Sequence, residues 1–158
     1  MAYQVAVCGP ADCTEAERSD AYRVGQLLAD AGAVVVCGCG GGVMAAVAAG
    51  VRSRGGIAVG VCRDDERDQA SPDLSATLYP GVGEARNAFI VASVDAVIVV
   101  GGSWGSLSEQ ALALRRGDIP VVSLRGWEVI DIDGRRVPGA IVARHPGDAV
   151  ALALPSSG

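Results

Sequence analysis

The stretch from Asp95 to Glu109, D-A-V-I-V-V-G-G-S-W-G-S-L-S-E, limits what this chain can fold into more than any other. It opens on an unbroken apolar run, Ala96 to Val100. β-Branched residues without polar alternation suit a strand covered on both faces, as in a parallel sheet. The run gives way to Gly101-Gly102-Ser103-Trp104-Gly105, and a helix is expected from Ser106. A glycine turn from a buried strand into a helix leaves backbone N–H groups without partners, and the helix dipole adds partial positive charge there. Such a turn seats an anion, most often a phosphate. Glu109 follows one turn into the helix, near the same mouth.

The same order of strand, glycine turn and helix recurs along the chain. Gln4 to Cys8 reads as the first strand, followed by the loop Gly9 to Cys13. Thr14-x-x-Glu17 is a capping box that starts a helix at Glu15, and Gly32 ends it. Ala33 to Cys37 is a second strand, and Gly38-Cys39-Gly40-Gly41-Gly42 turns it into a helix over Val43 to Arg54. Ile57 to Val61 is a third strand. The charged segment from Arg63 to Asp73 is a solvated loop. Ala76 to Tyr79 reads as a short strand, and Glu84 to Val94 as a helix carrying Arg86 and Asn87. Beyond the Ser106–Arg116 helix come a strand over Val121 to Leu124 and a hairpin over Trp127 to Val137 turning at Asp133-Gly134. A strand over Ala140 to Ala143 and a helix over Ala149 to Leu154 close the chain. Glycine makes up 22 of the 158 residues, about twice the usual ~7%, as so many tight turns require.

Strands alternating with helices give an α/β domain with right-handed crossovers. The expectation is one Rossmann-like domain over residues 1–154, with a frayed tail at 155–158. Its sheet is mostly parallel, in the order 3-2-1-4-5, with helices on both faces. The order reverses between the first strand and Ala96–Val100, and open α/β sheets bind ligands in the crevice above such a switch point. Gly9 to Cys13 and Gly101 to Gly105 then flank the site, with Gly38 to Gly42 beside them.

The net charge of −5 gives the chain no general attraction to nucleic acid or to an anionic membrane, so any anion must be held locally. No apolar run approaches the ~18 residues of a membrane span, and no basic signal start is visible. Cys8, Cys13, Cys37, Cys39 and Cys62 lack zinc spacing and meet a lone His145. They read as reduced core residues of a cytoplasmic protein, with no metal site.

Gly38-x-Gly40-x-Gly42 invites a dinucleotide reading, but the fingerprint needs a glycine where Val43 stands, and it follows the second strand rather than the first. Asp64, about twenty residues on, has the place of a ribose-binding acid but lies inside the charged run. There is no P-loop and no nucleophile elbow. Glu109 has two readings: the reciprocal partner of Ser106 in a capping box, or a ligand-facing or catalytic carboxylate. Arg86, in a first helical turn where the dipole disfavours a cation, is explained by an anionic ligand or by Glu109 itself. Beside Arg86, Glu109 is expected to be ionised at neutral pH. Trp104 serves either as core or as a platform for a flat ring.

Gly101-Gly102-Ser103-Trp104-Gly105-Ser106-Leu107-Ser108-Glu109 resembles the P-G-G-x-G-T-x-x-E motif of the cytokinin-activating phosphoribohydrolases, often mislabelled lysine decarboxylases. Arg86 with Asp95 matches that family's R-K…D spacing, and Gly42-Val43-Met44 looks like its G-L-M. In length and order the chain is similar over its full span to a shorter sister group that includes the molybdenum cofactor carrier proteins. The departures are Gly101 for Pro, Ser103 for Gly, Ser106 for Thr and Asn87 for Lys. The resemblance implies a small phosphorylated ligand, a nucleoside monophosphate or the molybdenum cofactor. It would be held by Gly9, Gly40, Gly41, Gly42, Met44, Arg86, Asn87, Gly101, Gly102, Ser103, Trp104, Gly105, Ser106 and Glu109. It leaves open whether Arg86 and Glu109 also cleave a nucleoside 5′-monophosphate to base and ribose 5-phosphate. It also implies a homo-oligomer, dimer or tetramer, with Phe89, Ile90, Val91 and the Leu112–Leu114 helix as candidate interface.

Overall fold

The computed structural model describes residues 1–63 and 67–156. Asp64 and the end of the expected tail lie outside these residues. The strands are β1 (Gln4–Cys8), β2 (Val34–Gly38), β3 (Ile57–Val61), β4 (Ala76–Leu78), β5 (Ala96–Val100), β6 (Val121–Leu124) and β7 (Ile141–Ala143). The helices are α1 (Glu15–Asp30), α2 (Val43–Ser53), α3 (Arg86–Ala92), α4 (Trp104–Arg116) and α5 (Pro146–Ala153).

The strands form one sheet in the order β4-β3-β2-β1-β5-β6-β7. All of its pairs are parallel, where the sequence suggested a mostly parallel sheet. The order also differs from the expected 3-2-1-4-5 at its margins, because the short strands β4 and β7 extend the sheet at both edges. The reversal at β1 and β5 is as expected: β1 pairs with β2 on one side and with β5 on the other.

Both faces of β5 are buried, which is why it carries no polar alternation. Ala96, Ile98 and Val100 pack with Val24 and Leu28 of α1 and with α2 and α5; Val97 and Val99 pack with Ile90, Val91 and Ala113 of α3 and α4. Ile90 and Val91 therefore belong to the core, and of the suggested interface Phe89 and Leu112 are the large apolar residues left exposed. Among the described residues no helix is long and apolar enough to cross a membrane.

Local chemistry sets the helix ends. Thr14 and Glu17 form the expected capping box of α1, at 3.2 and 2.8 Å. The helix expected over Glu84–Val94 is interrupted: Gly83, at φ +56°, opens a 3-10 turn through Ala85, and α3 starts only at Arg86. At the far end of α4, Arg116 donates to the carbonyls of Val91 and Val94 at 2.7 and 2.8 Å. The hairpin turns on Ile132–Asp133 rather than Asp133–Gly134. Asp131 accepts from the Gly134 N–H at 3.0 Å, and Gly134 takes φ +78° as the bulge residue.

The cysteines are not all reduced. Cys39 and Cys62 form a disulfide, while Cys8, Cys13 and Cys37 are free. The pairing follows from register. β2 and β3 end on the partners Gly38 and Val61, so the next residue of each chain emerges side by side. Spacing along the sequence carries no trace of this.

Candidate functional site

A cleft of about 980 Å³ opens at the C-terminal edge of the sheet, above the switch between β1 and β5. Of the residues singled out from sequence, it brings together Gly9, Met44, Arg86, Asn87, Ser103, Trp104, Gly105, Ser106 and Glu109. Gly40 and Gly41 line a smaller adjoining recess of about 190 Å³, which shares Ala11, Met44, Arg63 and Arg86 with the cleft. Gly42, Gly101 and Gly102 line neither. A side chain on Gly42 would strike the carbonyls of Pro10 and Ala11, one on Gly101 the Glu17 carboxyl, and one on Gly102 the Trp127 ring. These glycines make room for protein rather than for a ligand.

The start of α4 differs from the expectation in a way that matters for anion binding. Its N-cap is Ser103, not a residue before a Ser106–Glu109 box. Ser106 N–H donates to Ser103 Oγ at 3.1 Å, and Ser103 N–H donates to Ser106 Oγ at 2.9 Å. Two donors of the turn are thereby used, and a third is lost because Gly101 N–H donates to Leu124 O at 2.9 Å. Among the described residues, the Trp104 and Gly105 N–H groups remain open in this first turn. Trp104 itself is 78% exposed and stands edge-on to Trp127, with centroids 5.1 Å apart. It is a platform at the cleft wall, not core.

Freed from the capping box, Glu109 turns inward and is 8% exposed. Burial raises its carboxyl to about pKa 7, against the lowering pull of the Cys8 thiol, a hydrogen-bond partner, and of Arg86. This corrects the expectation of an ionised Glu109: Arg86 acts in the expected direction, but desolvation outweighs it. Cys8, which the sequence reading left in the core, lines the cleft. Burial first and the Glu109 carboxyl second raise its thiol well above the ordinary range, and the same two causes take Cys37 to about 12.

Arg86 opens α3 and crosses the ends of β2 and β3. It donates to Val61 O at 2.7 Å, and its Nε is buried with no partner. The guanidinium lies so close over Gly38 that a Cβ there would collide with it and with the Met44 sulfur. Gly38 is thus a site residue that sequence reasoning counted only as part of a turn. Asn87, 6% exposed, donates to Ser108 Oγ at 2.9 Å and ties α3 to α4. Arg63, Glu84 and Arg115 at the rim also escaped notice; Arg63 and Glu84 pair at 2.8 Å. Arg63 and Glu84 lie between β3 and α3 and Arg115 in the last turn of α4, and their only signal in the sequence was charge.

An open parallel sheet with a cleft at its switch point defines a Rossmann-like α/β protein. The chain belongs to the SLOG cluster4 family, whose model matches residues 2–146. It is 38% identical over 154 residues to an uncharacterized protein of Archaeoglobus fulgidus, covering 98% of this chain and 96% of that one. Among solved structures it is similar to the molybdenum cofactor binding protein from Rippkaea orientalis. That match has a TM-score of 0.84 and 28% identity and covers 96% of this chain and 95% of the other. It is also similar to the molybdenum cofactor carrier protein MCP from Chlamydomonas reinhardtii, with a TM-score of 0.79, 26% identity and coverage of 96% and 95%. The resemblance to the carrier-type group seen in the motifs extends to the whole fold.

Proposed function

We propose that this protein binds a small phosphate-bearing ligand in the cleft between α3, α4 and the ends of β1 and β5, and acts as a carrier. The observation that carries this reading is Arg86: a cation seated in the cleft wall with a buried Nε that no protein group satisfies. Buried polar groups are rarely left unpaired without a functional reason. The open Trp104 and Gly105 N–H groups supply neutral donors at the dipole end of α4, and Trp104 offers an exposed ring for stacking. Glu109, near half-protonated at neutral pH, does not repel a phosphate as a full carboxylate would. The cleft volume suits a nucleotide-sized molecule. The likeness to the Rippkaea orientalis and Chlamydomonas reinhardtii proteins makes the molybdenum cofactor the first ligand to try.

Calorimetry with the molybdenum cofactor, AMP, ribose 5-phosphate and inorganic phosphate tests the reading. At least one phosphate ester is expected to bind, and Arg86→Ala to weaken it by about 1.5–3 kcal/mol, the scale of a hydrogen bond to a charged group. No heat with any of them, or full affinity in Arg86→Ala, would end the proposal.

One observation favours a second reading. A buried glutamate with a pKa of about 7 suits proton transfer at neutral pH. In a phosphoribohydrolase, Glu109 would take a proton from water as it attacks C1′ of a nucleoside monophosphate, and the base would leave with the bonding pair. Chromatographic release of adenine from AMP, abolished in Glu109→Gln, decides for the enzyme. Binding without release decides for the carrier.

A further inference from the structure

Resting on the reading of the cleft as a phosphate site, we propose that the Cys39–Cys62 disulfide is a redox clamp on Arg86 and thereby sets the affinity of that site. The argument is one of adjacency. Arg86 touches the sheet at two places: it packs over Gly38 and donates to Val61 O at 2.7 Å. Gly38 and Val61 are the last register partners of β2 and β3. The residue after each is a cysteine, and the two are joined. Beyond them the strands part: Cys62 N–H donates to Leu78 O at 2.8 Å, toward β4, while Cys39 enters the glycine turn. The disulfide therefore ties the ladder one residue past its end, next in sequence to the pair that Arg86 contacts.

Without that tie, the Gly38–Val61 pair is a ladder terminus: Val61 packs in the core, but Gly38 has no side chain of its own and leads into the Gly40–Gly42 run. Cys39 and Cys62 both line the small recess that opens beside the cleft, so a small reductant has a route to the bond. The step is a two-electron exchange. A small dithiol attacks one sulfur, the S–S bond breaks, both cysteine Sγ atoms take up a proton, and the dithiol leaves as its cyclic disulfide. Oxidation closes the clamp and holds Arg86 over the cleft. Reduction lets the Gly38–Val61 pair fray and the guanidinium leave its seat.

The test has one readout that needs no ligand. Intact protein is prepared oxidised and after dithiothreitol, with free thiols titrated in denaturant. They should rise from the free Cys8, Cys13 and Cys37 to all five cysteines. Arg86 reactivity toward phenylglyoxal is then followed by peptide mass spectrometry, with the exposed Arg18 as internal reference. Arg86 labelling is expected to rise about tenfold on reduction, the scale of losing one hydrogen bond to a charged group. The Cys39→Ser, Cys62→Ser double variant should label like reduced protein and ignore dithiothreitol. In parallel, AMP affinity should fall about tenfold on reduction in wild type and not at all in Arg86→Ala. Equal Arg86 labelling in the two states overturns the clamp, as does a thiol count of five after treatment with glutathione disulfide. Labelling that responds while neither AMP nor the molybdenum cofactor, ribose 5-phosphate or inorganic phosphate binds leaves the clamp standing and removes the phosphate reading instead.

Discussion

The two glycine turns that look alike in the sequence are built on different principles. The turn from β5 into α4 is closed by side chains: Ser103 and Ser106 cap each other's N–H groups, and Trp127 fills the space beside Gly102. The turn from β2 into α2 is closed by backbone. Gly42, the N-cap of α2, has no side-chain cap, takes φ +60°, and presses against the carbonyls of Pro10 and Ala11. Val43 N–H donates to one of them, Pro10 O, at 3.0 Å. One turn can be loosened by trimming side chains; the other can only be broken by adding one.

The largest effect expected from this contrast is at Gly42. Gly42→Ala places a Cβ against backbone in a conformation that only glycine tolerates, which costs about 3–4 kcal/mol from strain and overpacking together. Urea denaturation measures it, and a loss below about 1 kcal/mol would show that the backbone there can give.

Next in size is the pH dependence centred under the β5–α4 turn. The folded-state pKa of Glu109 is raised to about 7, so its contribution to stability is full below its unfolded value of 4.5 and is lost as pH rises through 7. Between pH 4.5 and 8 the wild type should lose about 3 kcal/mol relative to Glu109→Gln. Parallel urea curves for the two proteins across that range would sink the raised pKa.

Two smaller effects sharpen the difference between the turns. Ser103→Ala removes a cap and should cost about 1 kcal/mol, a loss that α2, having no such cap, cannot suffer. Gly102→Ala should cost about 1 kcal/mol as well, far less than Gly42→Ala, because its neighbour is the partly exposed ring of Trp127, which can shift. A Gly102→Ala penalty equal to that at Gly42 would erase the distinction. Thermal melts rank all four variants.

The strands could be read so closely because their signal is local. Gln4–Cys8, Ile57–Val61, Ala96–Val100 and Val121–Leu124 are apolar runs bounded by turn residues, and the structure ends them where the runs end. Placing Arg86 and Glu109 at one cleft needed only the sheet order and the helix starts. What was illegible depends on competition or on distance. Two overlapping boxes, Ser103-x-x-Ser106 and Ser106-x-x-Glu109, vied for the start of α4. The first prevails, and Glu109 is buried instead of capping. The Cys39–Cys62 pair exists because of β2–β3 register, and the Gly38 contact because Arg86 returns from a helix far along the chain. Neither leaves a periodic mark in the sequence.

The bonds from Arg116 to Val91 and Val94 have a mechanical consequence. They rivet the end of α4 to the end of α3, while Asn87 and Ser108 pin the two helices near their beginnings. Fastened at both ends, α3 and α4 form a single stiff bank of the cleft that carries the backbones of Arg86 and Glu109 at a constant spacing, while the guanidinium itself is seated on β2 and β3. Admission of a ligand then falls to the opposite bank, the loops that leave β1 and β2. In hydrogen exchange the two helices should open together, and later than those loops, so that the cleft works like a gate with one fixed post.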